Sequence, residues 1–372
     1  MLSAPFTSLI SVAQQLIFIF LGLFGIGLLI GIHEFGHFLF CKLFRVRTPS
    51  FSIGMGPRLI EKKIGDTVFT LSALPIGGYV EIAGAQEVGQ GDQKEARRDD
   101  EYSFARKPYY QKMLIMSGGI LFNIFFSYFA LSLLFFIGMP QTPLIYPSHA
   151  TTNIKNIVKD SPAGKAGFKE GDKLIALDDI PLQNSATELI EKIKNRPDQN
   201  IVLTVERNNT ATQIHTTLGS QTIENKKIGY LGVEFSIPQF SLFQSIKYGV
   251  QTTHILIGKI VTIFKQIFTK KVFNNLGGPL MVITQTVQGA AKGFKIFLLF
   301  LAFISINLAV LNVIPVPIMD GGQALFYTVE AIMGRKIPDR VREYIHYACW
   351  IGFLILVVYL SIKDILRLVF AQ

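Results

Sequence analysis

Four long apolar runs interrupt the chain and predict four membrane-spanning helices. They extend over about residues 16–40, 113–139, 296–315 and 344–362. Each run is close to the roughly 20 apolar residues that a helix needs to cross the hydrocarbon core of a bilayer. The mean hydropathy of the whole chain is +0.39, so the runs and the composition both indicate a membrane protein that is mainly α-helical.

Between the first and second runs, the pattern changes to that of β-structure. Apolar and polar side chains alternate over residues 68–73, directly after a turn formed by Gly65 and Asp66. This pattern predicts a β-hairpin region over residues 50–82, followed by a polar, mobile loop over residues 85–107. The hairpin region could be an ordinary cytoplasmic hairpin, or an edge strand in it could pair with an extended peptide. The sequence leaves both interpretations open.

Residues 150–237, between the second and third runs, have the pattern of a small α+β domain. Short strand-like segments alternate with turns rich in Asp, Asn and Gly. Ser185 and Glu188 have the spacing of a capping box, which predicts a helix from there to about Lys194. No cluster of ionisable residues of a catalytic kind is visible in this segment.

The next segment, residues 238–295, combines an amphipathic helix with a linker. Over residues 243–268, apolar side chains share one helical face and lysines and other polar side chains share the opposite one. The apolar positions are Ile246, Val250, Ile257, Val261, Phe264 and Phe268. This arrangement predicts an interfacial helix that lies on the bilayer, with His254 solvated on its polar face. Packing against the protein's own domain is an alternative that is compatible with it.

The charges of the chain favour membrane lipids as partners. The net charge is +10, and residues 238–296 carry seven lysines without an acidic residue. Because this excess lies beside apolar sequence, it favours an anionic lipid surface over nucleic acid. The two cysteines, Cys41 and Cys349, lie in or at apolar runs, which argues against a disulfide framework or a cysteine zinc site.

Basic residues beside the apolar runs predict the orientation of the chain in the membrane. They cluster after the first run, before the second, and between the third and fourth: Lys42, Arg45, Arg47, Arg106, Lys107, Lys112, Arg335, Lys336, Arg340 and Arg342. By the positive-inside rule, residues 41–112 and 318–343 are expected in the cytoplasm. The N-terminus, residues 140–295 and the C-terminus are then expected outside it.

The first apolar run contains an H-E-x-x-H motif, formed by His33, Glu34 and His37. On a helix, the two imidazoles lie one turn apart on the same side and can hold one Zn²⁺. The glutamate can then take a proton from a water molecule that the metal activates. A chance motif on the surface of a soluble helix is the alternative. Two histidines and a carboxylate in a membrane helix are costly, however, and typical of a functional site.

The end of the third run supplies a candidate for a third zinc ligand. Pro315 and Pro317 break the helix, so Asp320 lies on irregular backbone, which at membrane depth must line a cavity or contact protein. A carboxylate is a usual partner of two histidines at zinc. The alternative is that Asp320 merely caps the following helix. Asn307 and Asn312 in the same run also need polar partners.

Taken together, these motifs resemble the site-2 protease family of intramembrane zinc metalloproteases. The likeness covers nearly the whole chain and is greatest to the bacterial branch that regulates sigma-E. Residues 151–235 are similar to the PDZ domain that such members insert between their second and third spans. The motifs that carry the likeness are the H-E-x-x-H, Asn312-x-x-Pro315-x-x-x-x-Asp320-Gly321, Gly54-Met55-Gly56, Pro75-Ile76-Gly77-Gly78-Tyr79, Ser161-Pro162-Ala163 and Gly171-Asp172.

This resemblance implies a role for each candidate site residue. His33, His37 and Asp320 would ligate Zn²⁺, and Glu34 would be the general base. Asn312 and Asn307 match positions that hold the substrate backbone. Two departures stand out: Gly118-Gly119 replaces the usual Gly-Pro of the second span, and the chain has room for one PDZ domain rather than two in tandem.

The resemblance also implies an architecture. Four transmembrane helices would form two catalytic halves, residues 1–139 and 296–372, with a membrane-associated β-hairpin region at residues 50–82. A PDZ domain would occupy residues 150–237, and the amphipathic helix and linker would follow at residues 238–295.

The activity implied is hydrolysis of a peptide bond within or near the transmembrane segment of single-span membrane proteins. Cleavage of an anti-sigma factor or a signal-peptide remnant in the bacterial inner membrane is of this kind, and the PDZ domain would filter the substrates.

Two other functional classes remain to be weighed against the protease. A non-catalytic membrane protein could use the PDZ domain as its binding module, but it would have no use for an acidic residue opposite a histidine pair. A metal transporter could use the same ligands in transit, but the repeated halves typical of transporters are not visible. Zinc content together with a peptidase assay separates all three.

Overall fold

The computed structural model describes residues 4–85, 95, 98–140, 149–183, 185–223, 226–266 and 277–370. The chain forms two compact units. The first combines Met1–Leu134 with Ser245–Gln372, and the second is Phe135–Gln244. Residues 86–94, 96 and 97 of the polar loop predicted over residues 85–107 lie outside the described residues. The described end of this loop contains a short 3-10 helix, Phe104–Arg106, with Phe104 buried.

The helices and strands are numbered here in chain order. The helices are α1 (Ala4–Leu43), α2 (Tyr109–Ile137), α3 (Pro162–Ala166), α4 (Ala186–Lys194), α5 (Leu242–Lys265), α6 (Pro279–Ala291), α7 (Phe294–Val313), α8 (Asp320–Met333) and α9 (Asp339–Phe370). The strands are β1 (Ser50–Ile64), β2 (Thr67–Val80), β3 (Ile154–Ile157), β4 (Lys173–Leu177), β5 (Ile180–Pro181), β6 (Asn200–Arg207), β7 (Thr210–Thr217), β8 (Gly219–Ile223), β9 (Lys226–Tyr230) and β10 (Val233–Phe235).

Within the described part of the chain, four helices are long and apolar enough to cross a membrane. These segments are Ala13–Leu43 of α1, Tyr109–Ile137 (α2), Phe294–Val313 (α7) and Arg340–Arg367 of α9. The prediction of a mainly helical membrane protein with four spans and an inserted α+β segment is therefore confirmed.

Glycines bring α1 into backbone contact with α2. A Cβ on Gly118 of α2 would lie 2.6 Å from the carbonyl oxygen of Gly36 in α1, and a Cβ on Gly36 would overlap the carbonyl of Gly118. Three turns earlier in α1, a Cβ on Gly25 would lie 2.6 Å from the Phe297 ring of α7. Small residues of this kind allow membrane helices to approach closely, so α1 contacts both α2 and α7.

The β-hairpin region is bent so that one of its edges runs beside α1. Ile53 of β1 pairs with both Leu71 and Gly78 of β2, which means that β2 folds around both sides of the first part of β1. The bends occur at glycines with positive φ, a conformation that costs glycine little: Gly54, Gly56 and Gly77. The segment Gly78–Val80 therefore forms an edge of this sheet.

Buried apolar side chains anchor the hairpin region to the helices. Phe51 of β1 and Val80 of β2 belong to one hydrophobic cluster with Cys41 of α1 and Ile115 of α2. Their burial removes apolar surface from water at both ends of the contact. This cluster holds the edge segment of β2 against the helix that carries the H-E-x-x-H motif.

The second unit contains a small α+β fold. Its four-stranded antiparallel sheet has the order β5-β4-β6-β7, and two further ladders pair β3 with β10 and β8 with β9. The core includes Leu174, Leu189 and Leu203. Asp172 is buried, and although burial opposes its ionisation, the hydrogen bonds from Arg207 and from the Lys169 amide hold its pKa below its ordinary value.

The helix predicted after Ser185 is present as α4, but the predicted capping box is not formed. Ser185 occupies the N-cap position and makes no capping hydrogen bond with its side chain. Glu188 instead accepts a hydrogen bond from the Gln183 amide at 3.2 Å and one from Lys192 Nζ at 2.8 Å. Its carboxylate therefore bonds to a residue before the N-cap and to one in the helix, and not to the N-cap amide as a capping box requires.

The segment after this unit contains two helices. Helix α5 buries a face that the sequence did not single out, while Ile246 and Val261 of the apolar stripe stay exposed; the buried positions are Ser245, Gly249, Thr252, Thr253, Leu256 and Ile260. Its placement on the bilayer stays a prediction. Its His254 is not simply solvated, because the ring accepts or donates a 2.7 Å hydrogen bond with Tyr128 of α2. The predicted linker contains α6, a 13-residue helix whose first turn is capped by the buried carboxylate of Asp364. Phe268 lies outside the described residues.

Candidate metal centre

The two histidines of the motif face each other from successive turns of α1. His33 Nε2 and His37 Nε2 lie 3.3 Å apart. Both side chains are largely buried, with 12% and 7% of their surface exposed. A helical spacing of four residues places them one above the other, so both Nε2 atoms point at the same small volume.

Asp320 completes a triangle with these two nitrogens. Its Oδ2 lies 3.2 Å from His33 Nε2 and 3.5 Å from His37 Nε2. Among the described residues these three form the cluster of His, Cys, Asp and Glu side chains that could hold a metal ion. Asp320 Oδ2 is buried and makes no hydrogen bond with a described residue.

The size of the triangle matches a zinc site. Ligand atoms about 2.0 to 2.1 Å from a tetrahedral Zn²⁺ lie about 3.3 to 3.4 Å from one another. The three observed separations, 3.2, 3.3 and 3.5 Å, bracket this range. Two imidazoles and one carboxylate are also a common donor set for zinc that leaves a fourth position open. The residues therefore fit a zinc ion.

Two glycines allow Asp320 to reach the histidines. Asp320 is the first residue of α8, and the connection from α7 turns back at Pro315 and Pro317. A Cβ on Gly321 or on Gly322 would overlap backbone atoms at the end of α7 and in the proline connection. Side chains at these two positions would therefore push Asp320 away from α1.

The Asp320 carboxyl is strongly biased towards its ionised form. Burial alone would raise its pKa, but the imidazoles of His37 and His33 more than offset this effect and hold the pKa below its ordinary value. A carboxylate must be deprotonated to ligate a metal. The environment of Asp320 thus favours the form that can serve as a ligand.

Each histidine is oriented by a partner on α2. His37 Nδ1 lies 2.7 Å from the carbonyl oxygen of Ile115, and His33 Nδ1 lies 3.1 Å from the amide nitrogen, Nδ2, of Asn123. A carbonyl oxygen only accepts, so His37 carries its proton on Nδ1, and its unprotonated Nε2 can offer a lone pair to a metal. Partners of this kind set the tautomer and the ring orientation of metal-binding histidines.

A buried polar network fixes Asn123 in turn. Ser305 Oγ and Ser127 Oγ each donate to the backbone carbonyl of Asn123 at 2.9 Å. The nitrogen of the Asn123 amide faces His33 Nδ1 in this structure. For His33 to offer Nε2 to a metal, its Nδ1 must donate, so metal binding requires this amide to be turned with its oxygen towards the ring. The network therefore links α7 to Asn123 of α2, the residue that contacts the ring of His33.

The ring of His33 also explains one of the glycines in α2. A Cβ on Gly119 would lie 2.5 and 2.6 Å from Nδ1 and Nε2 of His33, which is closer than any side chain allows. In the present arrangement, the ring occupies the space that a side chain at position 119 would need. Gly119 is the position at which the resemblance to the site-2 proteases leads one to expect a proline.

Glu34 lies between the histidines and the edge of the hairpin region. The backbone amide of Val80 hydrogen-bonds to its carboxylate, which also interacts electrostatically with His33, His37 and Asp320. A Cβ on Gly78 would lie 3.6 Å from Glu34 Cγ. The structure thus places the predicted base beside the triangle and against the edge segment of β2.

The two asparagines of α7 differ in their surroundings. Asn307 Nδ2 donates to the Phe303 carbonyl of its own helix at 2.8 Å, so one of its two N–H donors is already used. The half-buried side chain of Asn312 makes no hydrogen bond within the described part of the chain. Its backbone carbonyl lies against Gly321, directly beside Asp320.

The model of peptidase family M50 matches residues 21–358, which include the histidine pair, the hairpin region and Asp320. The chain belongs to peptidase family M50. This match confirms the prediction of the site-2 protease family. At the level of the family, it also confirms the predictions that the protein is a metalloprotease and that its cofactor is zinc.

Relatives of this M50 peptidase match it over almost their whole length. A protein of Clostridium perfringens that bears the name of a zinc metalloprotease is 30% identical over 358 residues, which cover 94% of this chain and 98% of the relative. The zinc metalloprotease RasP of Geobacillus kaustophilus is 27% identical and covers 89% of this chain. Among solved structures, the PDZ domain of an SdrC-like protein from Listeria innocua covers 23% of this chain, with 17% identity and a TM-score of 0.20.

Sequence reasoning on this M50 peptidase missed the partners of the histidines. Asn123 is visible as a polar residue in an apolar run, but its position against His33 depends on how α1 and α2 cross. The Ile115 carbonyl is a backbone group and leaves no signal in the side-chain pattern. Of the two histidine partners, only Asn123 left a signal in the sequence.

We expect Asn123→Leu to weaken zinc binding roughly 10- to 100-fold, as is usual when an orienting partner of a metal ligand is removed. Leucine has nearly the size of asparagine but cannot accept the proton of His33 Nδ1. Equilibrium competition with a chelator measures the change on the purified protein. Tyr128→Phe is the matched control, since Tyr128 lies on the same helix and its hydroxyl hydrogen-bonds to His254 rather than to a residue of the triangle or to Asn123. Unchanged zinc affinity in Asn123→Leu would show that His33 does not need this partner.

Proposed function

We propose that this M50 peptidase is an intramembrane zinc metalloprotease that cleaves single-span membrane proteins within or near their transmembrane segment. The observation that carries the proposal is the triangle of His33, His37 and Asp320. Its two histidines lie on a membrane-spanning helix. A soluble substrate would have little access to such a site, whereas a membrane helix can reach it laterally.

The proposed chemistry assigns one task to each residue of the site. Nε2 of His33, Nε2 of His37 and Oδ2 of Asp320 would hold the metal. When bound, zinc supplies Lewis-acid activation of a water molecule and of the substrate carbonyl. The Ile115 carbonyl keeps His37 in the tautomer that leaves Nε2 unprotonated, and the Asn123 amide does the same for His33 once its oxygen faces the ring. The Asp320 carboxylate adds a negative charge that offsets part of the charge of the metal.

Glu34 is proposed as the general base. Its carboxylate takes a proton from the attacking water and later delivers it to the amine of the departing peptide. The amide of Val80 restricts how the carboxylate can turn. The base is thus oriented by the same β2 segment that, in this proposal, binds the substrate.

The substrate must lose its helical structure before it can be cut. A transmembrane helix satisfies its own backbone hydrogen bonds, so its carbonyl groups are not open to attack. The edge segment Gly78–Val80 can pair with the extended stretch and replace the hydrogen bonds that it loses. Asn312, whose side chain makes no hydrogen bond within the described residues, is suited to hold the substrate backbone on the other side; Asn307 is less suited, because its amide donates within α7.

The second unit is proposed to be a PDZ domain that filters substrates. Its antiparallel sheet, its two short ladders and its two helices agree with such a domain in size and in mixed α+β character. The motifs Ser161-Pro162-Ala163 and Gly171-Asp172 fall at the start of α3 and directly before β4. By the basic-residue pattern, this unit lies outside the cytoplasm of a bacterial cell.

The orientation predicts which side of the membrane each region faces. In a variant without native cysteines, Lys165→Cys in the second unit should react with a membrane-impermeant thiol reagent added from the outside. Lys62→Cys in the hairpin region is the matched control and should react only when the cytoplasmic side is opened. Both native side chains are exposed. Labelling of residue 165 only from the cytoplasmic side would overturn the orientation.

The unwinding step gives a direct test of the proposed function. Two single-span substrates would be compared with equal amounts of the reconstituted enzyme, one with Gly-Gly and one with Leu-Leu at the cut site. Glycine lowers helix stability by up to about 1 kcal/mol per residue, so the Gly-Gly substrate, with two glycines, should be cut up to about 30-fold faster. Equal rates would mean that unwinding does not limit the reaction, and the proposed role of the edge segment would lose its support.

A further inference from the structure

The connection that leads from α7 to Asp320 is stabilised only locally by its own backbone. It consists of residues 314–319, and Pro315 and Pro317 within it cannot donate backbone hydrogen bonds. The amide of Val316 donates to the Ile314 carbonyl at 2.7 Å and that of Met319 to the Val316 carbonyl at 2.8 Å, so both of these bonds stay within the connection. The placement of Asp320 therefore depends on contacts from outside this connection.

Gln323 provides such a contact from the first turn of α8. Its Nε2 donates to the carbonyl oxygen of Pro317 at 2.9 Å. Because a carbonyl oxygen can only accept, the amino end of the Gln323 amide must face Pro317. Asp320 lies midway between Pro317 and Gln323 in the sequence. This hydrogen bond therefore closes a loop of the chain that contains Asp320.

His346 of α9 holds the same amide from the other side. Its Nε2 lies 3.2 Å from Gln323 Nε2, and since the amide donates, the imidazole accepts and carries its proton on Nδ1. His346 is only 3% exposed. Its ring stacks on Phe326 of α8 with a centroid separation of 5.7 Å. The His346 ring is therefore itself fixed by packing against α8, the helix whose first residue is Asp320.

We infer that Gln323, braced by His346, is a positioning residue that keeps Oδ2 of Asp320 aimed between the two histidines. The inference rests on the proposed zinc site. A metal ligand must be held to within about 0.5 Å of its productive position by packing and by hydrogen bonds from its surroundings. Gln323 does not touch the metal position, and it acts through the connection that carries the ligand.

The test measures metal binding rather than activity. Purified full-length protein would be titrated with zinc against a chelator, and the visible absorption of the Co²⁺-substituted protein would report the geometry of the ligands. Gln323→Met keeps the length of the side chain and removes both donors. Gln288→Met is the matched control, a glutamine exposed on α6. Asp320→Ala serves as the reference for a lost ligand.

Gln323→Met should weaken zinc binding roughly 10- to 100-fold and alter the Co²⁺ absorption, whereas Gln288→Met should change neither. A zinc affinity within about twofold of wild type, with an unchanged Co²⁺ spectrum, would overturn the inference.

A second pair of variants, at His346, separates positioning from general loss of structure. His346→Gln can still accept from Gln323 and should bind zinc nearly as wild type does. His346→Leu cannot accept and should weaken binding, though less than Gln323→Met, because the bond to Pro317 remains. Equal zinc affinities for these two variants would contradict the bracing role of His346, even if Gln323→Met failed to fold.

The reference variant distinguishes failure of this inference from failure of the proposed zinc site. If Asp320→Ala loses zinc while Gln323→Met keeps wild-type affinity, only the positioning role is wrong. If Asp320→Ala itself binds zinc as tightly as wild type, Asp320 is not a ligand, and the proposed site and this inference fall together.

Discussion

Replacing Asp320 with alanine is expected to remove zinc binding and, with it, peptidase activity. The variant leaves two imidazoles to hold the ion, and two protein ligands are fewer than the three that catalytic zinc sites use. The loss of zinc affinity should exceed the roughly 10- to 100-fold effect of removing an orienting partner such as Asn123. Metal analysis of the purified protein and competition with a chelator both measure it.

The matched control for this prediction is Glu330→Ala. Glu330 is an acidic residue of the same helix, α8, and its carboxylate lies 3.5 Å from Arg342 and accepts from the Ile337 amide. It therefore tests the loss of a negative charge from α8 away from the triangle. Zinc content and activity should stay near wild type in Glu330→Ala. An Asp320→Ala protein that retained both would rule out Asp320 as the third ligand.

Glu34→Gln is expected to lower the rate of cleavage by roughly 10²- to 10⁴-fold, the usual contribution of a general base. Glutamine has nearly the same size as glutamate but cannot take a proton from water. Because Glu34 is not one of the three residues of the triangle, zinc content should remain at the wild-type level. Rate measurements on one purified substrate, together with metal analysis of both proteins, test the two halves of this prediction.

A second carboxylate controls for the change from glutamate to glutamine. Glu81 follows β2, is 8% exposed, and accepts hydrogen bonds from Ser50 Oγ and from the Glu95 amide. Glu81→Gln makes the same replacement close to the edge segment, without touching the triangle, and should leave the rate within an order of magnitude of wild type. If Glu81→Gln were as inactive as Glu34→Gln, the defect would reflect a disturbed hairpin region rather than a missing base.

The residues of the triangle could be proposed from the sequence because their chemistry follows from local rules. The spacing of His33 and His37 depends only on the helical repeat. Asp320 is marked by the two prolines before it and by the glycines after it. In each case the signal lies within a few residues of the side chain. The roles of these residues as ligands stay predictions until zinc binding is measured.

The surroundings of the triangle could not be read from the sequence, because they depend on how the helices cross. Gly119 is needed because the ring of His33 lies over it, and Ile115 contributes a backbone carbonyl. Gln323 and His346 are ordinary polar residues until α8 and α9 are placed side by side. No pattern within one helix predicts a contact between residues that are far apart in the chain.

Helices α5 and α6 show the limits of patterns based on hydrophobicity. The apolar stripe of α5 was the visible signal, but the helix packs through Gly249 and its small neighbours, which allow close approach to Ser132 of α2. Helix α6 is too short to resemble a span, and the carboxylate that caps it, Asp364, comes from another helix. Packing of small residues and capping from a distance have weak signatures in a single sequence.

The central claim is that this M50 peptidase cuts peptide bonds inside the membrane at the zinc site beside Glu34. The most direct test is mass spectrometry of the products from one single-span substrate, reconstituted in liposomes with the wild-type enzyme or with Glu34→Gln. The account predicts a cut within or at the edge of the apolar segment of the substrate, absent with Glu34→Gln and lost when zinc is removed. A cut confined to the soluble part of the substrate, or the same products at the same rate from Glu34→Gln, would contradict it.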